Sequence, residues 1–134
     1  MAAALERHLL RARDLVDRRY DEPLDLRALA REALVSPRHF SRSFRRVFGE
    51  TPYQYLLSRR LERARHLLRT TEMPVAGICL EVGFTSVGSF TTTFKRHVGV
   101  SPTTFRQAYG GPSTADRIPL CFVKAWARQP QASG

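Results

Sequence analysis

Residues 36–52 read SPRHFSRSFRRVFGETP, and residues 86–102 read SVGSFTTTFKRHVGVSP. Laid over one another at an offset of 50, residues 35–52 and 85–102 share six identities in eighteen positions: Ser36/Ser86, Phe40/Phe90, Phe44/Phe94, Arg46/Arg96, Gly49/Gly99 and Pro52/Pro102. About one would be expected by chance from ~5–7% usage of a typical residue type. Five of the six shared pairs have a local physical role. Ser36 and Ser86 can cap a helix by accepting a backbone N–H, and Pro37 suits a first helical position because its missing N–H would find no partner there. The phenylalanines recur at i and i+4 on one helical face. Gly49 and Gly99 stop the helix, and Thr51-Pro52 and Ser101-Pro102 open the next one.

Upstream the correspondence continues at an offset of 49. Leu26, Leu29 and Ala33 fall on Val75, Ile78 and Val82, so the second copy carries one inserted residue in its turn. The repeated unit is therefore a short apolar helix, a tight turn and a capped helix with polar residues outside. That is the sequence form of a helix-turn-helix.

The elements around the repeat are helical too. Leu5, Leu9, Ala12, Leu15 and Val16 form an apolar stripe over residues 4–19, and Asp25 can cap the short helix that follows Pro23. In the helix after Ser36 the spacing predicts Phe40, Phe44 and Val47 inside, with Arg38, Ser41, Arg42 and Arg45 outside. In its counterpart Phe90, Phe94 and Val98 are inside. From Pro52 to about Arg69 there is no Pro or Gly, and Tyr55, Leu56, Leu61, Ala64, Leu67 and Leu68 keep one apolar stripe. A helix of that length extends about 27 Å. The expected fold is all-α: two helix-turn-helix subdomains joined by a long linker helix, about seven helices in total. The expected domains are residues 1–50 (N-terminal helix and first subdomain), 51–70 (linker helix), 71–109 (second subdomain) and 110–134 (a C-terminal tail, partly ordered or disordered).

Charge follows this organisation. The chain has 134 residues and a formal net charge of +10, with 20 of its 22 basic residues Arg. Residues 1–34 balance seven Arg against seven acids, whereas residues 35–69 hold nine Arg and two acids. A short acidic and apolar interval separates that block from a second basic one at residues 95–134. Such a surplus favours a polyanionic partner, with nucleic acid ahead of an anionic membrane surface. No stretch approaches the roughly 20 apolar residues of a membrane span, and the charged N-terminus is unlike a signal peptide. The expected location is cytoplasmic and nucleoid-associated. Cys79 and Cys121 lie far apart without neighbouring ligands, so no metal site is expected. Cys79 is read as a buried thiol. No catalytic constellation or cofactor motif appears, and the expectation is neither an enzyme nor a cofactor protein.

Over residues 5–109 the sequence resembles the DNA-binding region of the AraC/XylS family of bacterial transcription regulators. The resemblance is carried by residues 26–33 (LRALAREA), 36–44 (SPRHFSRSF), 60–68 (RLERARHLL), 82–86 (VGFTS), 90–96 (FTTTFKR) and 99–102 (GVSP), in that order. It implies two recognition helices entering the major groove on one face of double-stranded DNA. It further implies base contacts from Arg38, Ser41, Arg42, Val87, Gly88, Ser89 and Thr92. Phosphate contacts are expected from His39, Arg45, Arg46, Arg60, Arg63, Lys95 and Arg96. For Arg59, Arg60, Arg63 and Arg65 on the linker helix, pairing with Glu62 or Glu50 stays open as the alternative to central phosphates.

The resemblance also implies an activator with RNA polymerase as a further partner. With both reading units in one chain, a monomer is expected. An alternative is an adaptor that binds RNA polymerase or another regulator and binds DNA weakly, which the small side chains at Val87, Gly88 and Ser89 keep open. One departure from the family is Leu34, where Gly is usual in the first turn. A left-handed Leu would cost about 1 kcal/mol, with a reshaped turn as the other outcome. Residues 118–126 form an apolar stretch in the tail, open to packing on its own domain, to contact with a partner, or to being the start of a further element.

Overall fold

A computed structural model describes residues 2–110; the tail, with Cys121 and the apolar stretch, lies outside the described residues. Those residues form seven helices and no strand: α1 (Ala2–Arg19), α2 (Leu26–Glu32), α3 (Pro37–Phe48), α4 (Pro52–Thr70), α5 (Val75–Glu81), α6 (Val87–Val98) and α7 (Pro102–Tyr109). None of them is long and apolar enough to cross a membrane. The chain folds as two helical units, and the boundary between them falls inside the longer helix α4, between Arg59 and Arg60.

Local chemistry sets the helix boundaries. Asp25 Oδ1 accepts the N–H groups of Arg27 and Ala28, both at 3.1 Å, and starts α2. Ser36 Oγ accepts from His39 N at 3.1 Å, Ser86 Oγ from Ser89 N at 3.0 Å, and Ser101 Oγ from Thr104 N at 3.1 Å. At α4 the exchange is reciprocal. Thr51 Oγ1 accepts from Gln54 N at 3.2 Å while Thr51 N donates to Gln54 Oε1 at 2.9 Å, a capping box. Gly49 and Gly99 end α3 and α6 at φ 85° and 97°, left-handed positions in which a Cβ would be strained.

In the first unit α1, α2 and α3 pack around Leu9, Ala12, Ala30, Phe40 and Phe44, with Leu5, Leu29, Ala33, Val35, Phe48 and Tyr55 at the margin. The expectation that Val47 faces inward is corrected here. Val47 is 50% exposed, and Phe48 completes the i,i+4 row, its ring 4.6 Å from that of Phe44. At this end of α3 the covering groups lie on the Phe48 side, where the Arg13 guanidinium sits 4.6 Å from the ring centroid. The repeat carries the same information, since Phe48, not Val47, matches the buried Val98.

The second unit buries Leu61, Ala64, Leu67, Leu68, Ile78, Cys79, Val82, Phe84, Phe90, Phe94, Val98 and Phe105. Its rings form a chain of tilted and edge contacts, Phe84–Phe90–Phe94–Phe105–Tyr109, with centroids 5.2–5.8 Å apart. Each such pair adds about 0.5–1.5 kcal/mol beyond burial. Burial pushes the Cys79 thiol pKa up, which leaves it protonated and inert, as its apolar setting suggests.

Candidate nucleic-acid interface

Each unit aims one helix through the turn that precedes it. In the first, Leu34 N donates to Arg31 O at 3.0 Å and Val35 N to Ala30 O at 3.2 Å. In the second, Gly83 N donates to Leu80 O at 3.1 Å and Phe84 N to Cys79 O at 3.0 Å. Donors and acceptors all correspond at an offset of 49, so the two turns are the same turn. Both pivot on a left-handed residue, Leu34 at φ 60° and Gly83 at φ 98°. Leu34 therefore adopts the strained conformation without reshaping the turn, and its side chain is 92% exposed. The inserted residue, Thr85, falls after the turn and before the Ser86 cap.

The phenylalanine row fixes which face of α3 is free. With Phe40 and Phe44 buried, the opposite arc at 100° per residue consists of Arg38, His39, Arg42, Arg45 and Arg46, all exposed. No acid interrupts it. Ser41 sits at the edge of this arc, half-buried beside the core face. The corresponding arc of α6 is Gly88, Ser89, Thr92, Lys95 and Arg96, also exposed, with Val87 alongside at 45% exposure. Charge on α6 is thus confined to its C-terminal half, while its first turn presents small neutral groups. The two arcs share a geometry and differ in chemistry.

The arginines of α4 divide by environment. Arg63 is exposed. Arg60 is half-buried, with its guanidinium 5.8 Å from the centroid of the Phe84 ring. Arg59 Nε lies 3.2 Å from Asp17 Oδ1, the oxygen that also accepts the Tyr55 hydroxyl at 2.6 Å. The carboxylate next to Arg59 thus comes from α1, while Glu50 accepts from Ser58 Oγ at 2.9 Å. Burial, helped by the hydrogen bond to Asp17, pushes the Tyr55 phenol up to about 12. Arg65 is half-buried and its pKa is lowered by that burial, with Glu62 acting in the opposite sense.

Sequence reasoning missed two contacts, the Asp17–Tyr55–Arg59 cluster and the role of Arg106. From α7, Arg106 donates through Nε to Leu68 O at 3.3 Å and through Nη2 to Thr71 O at 3.2 Å. It thereby satisfies carbonyls at the C-terminal end of α4, where a cation is also favoured by the helix dipole. Among the described residues, no group of His, Cys, Asp and Glu is placed to hold a metal ion.

Two copies of one turn, each presenting a capped helix with an exposed polar arc, define a protein of the helix-turn-helix class. A family profile described as a helix-turn-helix domain matches residues 29–108. The chain is 40% identical over 81 residues to the HTH-type transcriptional regulator Rv1931c of Mycobacterium tuberculosis, a match covering 60% of this chain and 31% of the relative. The chain thus spans about a third of that relative's length. Among solved structures, an AraC-type transcriptional regulator from Chromobacterium violaceum is similar with a TM-score of 0.68 and 33% identity, over 82% of this chain and 98% of that one. The DNA-binding domain of AdpA, solved in complex with a target DNA, is similar with a TM-score of 0.69 and 33% identity, over 75% of this chain and 91% of that one. The chain belongs to the AraC/XylS family of DNA-binding transcription regulators.

Proposed function

We propose that this chain regulates transcription by placing α3 and α6 in successive major grooves of one DNA duplex. The observation that carries the reading is the turn repeated hydrogen bond for hydrogen bond, each copy followed by a helix with its polar arc exposed. The similarity to AdpA, whose domain was solved on DNA, supports the same use of this fold. Arg38 and Arg42, four apart on one arc, are assigned to guanine, whose O6 and N7 match a guanidinium bidentately. Ser41, Val87, Gly88, Ser89 and Thr92 are assigned to other base edges. His39, Arg45, Arg46, Arg63, Lys95 and Arg96 are assigned to phosphates, together with Arg60 at the margin of its contact with Phe84.

With both reading helices in cis, a monomer binds an asymmetric site of about 15–20 base pairs, because grooves on one DNA face recur every ~34–36 Å. Activation through RNA polymerase is the regulatory outcome we assign, and a DNA partner places the chain at the nucleoid. Mobility-shift titration against a duplex selected from a random pool tests this directly. With about six phosphates neutralised, log affinity falls against log salt with a slope near −5. A flat salt dependence, or a palindrome bound only by dimers, refutes the proposal. Equal affinity for selected and random duplexes favours the adaptor reading, which the neutral first turn of α6 motivates.

A further inference from the structure

We infer that α6 recognises thymine through its C5-methyl group, so that the two units divide the target by chemistry, with guanine before α3 and thymine before α6. The inference rests on the DNA-reading assignment above. It starts from two residues whose identities the fold does not explain. Helices α3, α4 and α7 all begin with Pro, the residue suited to that position, but α6 begins with Val87. Val87 is 45% exposed, so burial does not explain a β-branched apolar side chain there.

Gly88 follows it. Unlike Gly49, Gly83 and Gly99, it has no positive φ, and a Cβ built on it would meet only Ser86 Oγ, at an ordinary 3.7 Å. Neither backbone conformation nor packing therefore demands glycine, which lowers helix stability relative to other residues. What the pair creates is a surface with one branched apolar group beside an open notch. Thr92, one turn beyond Gly88 on the exposed arc, adds a methyl and a hydroxyl. In the major groove only thymine presents a methyl group, next to the O4 acceptor, and apolar side chains and the Thr methyl are its usual partners. The matching arc of α3 carries Arg38 and Arg42 at the positions of Gly88 and Thr92, a chemistry suited to guanine instead.

Uracil substitution tests this, because it removes the methyl and leaves the Watson–Crick pairing intact. The full chain first selects duplexes from a random pool, and each invariant thymine is then replaced singly by uracil. At one or more thymines, uracil is expected to weaken binding about fourfold, the value of one buried methyl. In the Val87→Ala, Thr92→Ser double variant, whose changes lie on an exposed surface, that ratio falls towards one. Arg38→Ala weakens binding to both duplexes and leaves the ratio as it was. Selected sites without an invariant thymine overturn the inference, as does uracil tolerated at every position or discrimination that survives the double variant. A chain that selects no sequence overturns the DNA-reading assignment as well, so the two failures are distinct.

Discussion

Replacing Leu34 by Gly should stabilise the first unit although it deletes a large apolar side chain. At φ 60° Leu34 holds a left-handed conformation that costs an L-residue about 1–2 kcal/mol. Its side chain is 92% exposed, so truncation forfeits almost no burial. Opposing the gain is the added freedom of glycine in the unfolded chain, about 0.4–1 kcal/mol. The net expectation for Leu34→Gly is a gain of about 0.5–1 kcal/mol, or about 2–8 °C in melting temperature for a unit of this size. The second unit supplies the opposite experiment, since Gly83 occupies the same turn at φ 98°. Gly83→Leu should destabilise by about as much as Leu34→Gly stabilises. Urea denaturation followed by circular dichroism gives the free energies, and amide exchange in α3 and α6 assigns each change to its unit. A loss of stability in Leu34→Gly, or no change in Gly83→Leu, would show that the turn is not under left-handed strain.

Phe44→Ala and Phe94→Ala, each removing a fully buried ring with two or more aromatic neighbours, should cost about 3–5 kcal/mol in denaturation midpoints; a cost below 1 kcal/mol would mean that the cores are not packed as described. Arg42→Ala should weaken binding to a selected site more than to the same site with its contacted guanine replaced, and equal losses would reassign Arg42 to phosphate. For Tyr55, the folded phenol titrates near 12 against 10.0 for an unperturbed tyrosine, so the unfolded chain releases its proton first. The associated stability is present below pH 10 and is lost as pH rises towards 12. Tyr55→Phe should lose about 1.5–3 kcal/mol at neutral pH, the value of a hydrogen bond to a charged acceptor, and show a shallower decline over that alkaline window. Identical alkaline slopes would refute the assignment.

Most of the fold was legible because its determinants are local. A Ser or Thr before a helix, a Pro at the first position and a Gly after the last turn act within four residues, so Ser36-Pro37, Gly49, Thr51-Pro52 and Ser101-Pro102 could be read without tertiary knowledge. The exposed arc of α3 followed for a related reason: once Phe40 and Phe44 are buried, helical period alone sends Arg38, Arg42, Arg45 and Arg46 outward. Legibility failed where a second element decides. Val47 shares the angular position of Phe40 but sits a helix-end away, where α1 covers Phe48 instead. The partners of Arg59 and Arg106 lie more than thirty residues away in sequence, beyond the reach of any spacing rule.

Those distant pairings change what the charge count means. Residues 35–69 read as one basic block of nine arginines, yet the structure divides it. Arg38, Arg42, Arg45 and Arg46 on α3 and Arg63 and Arg69 on α4 are exposed, while Arg59 faces Asp17, Arg60 lies over Phe84 and Arg65 is half-buried. A guanidinium already facing a carboxylate or desolvated against a ring gains less from a phosphate than one solvated on an open arc. Net charge is therefore sufficient to propose a polyanionic partner but overstates how many cations are available to meet it. Of the two outward arcs, that of α3 carries Arg38, Arg42, Arg45 and Arg46, whereas that of α6 offers only Lys95 and Arg96 behind a neutral first turn. The two outward arcs therefore differ in how much attraction to a polyanion each can supply, and in the second unit part of that attraction falls to Arg63 and Arg69 of α4 rather than to α6.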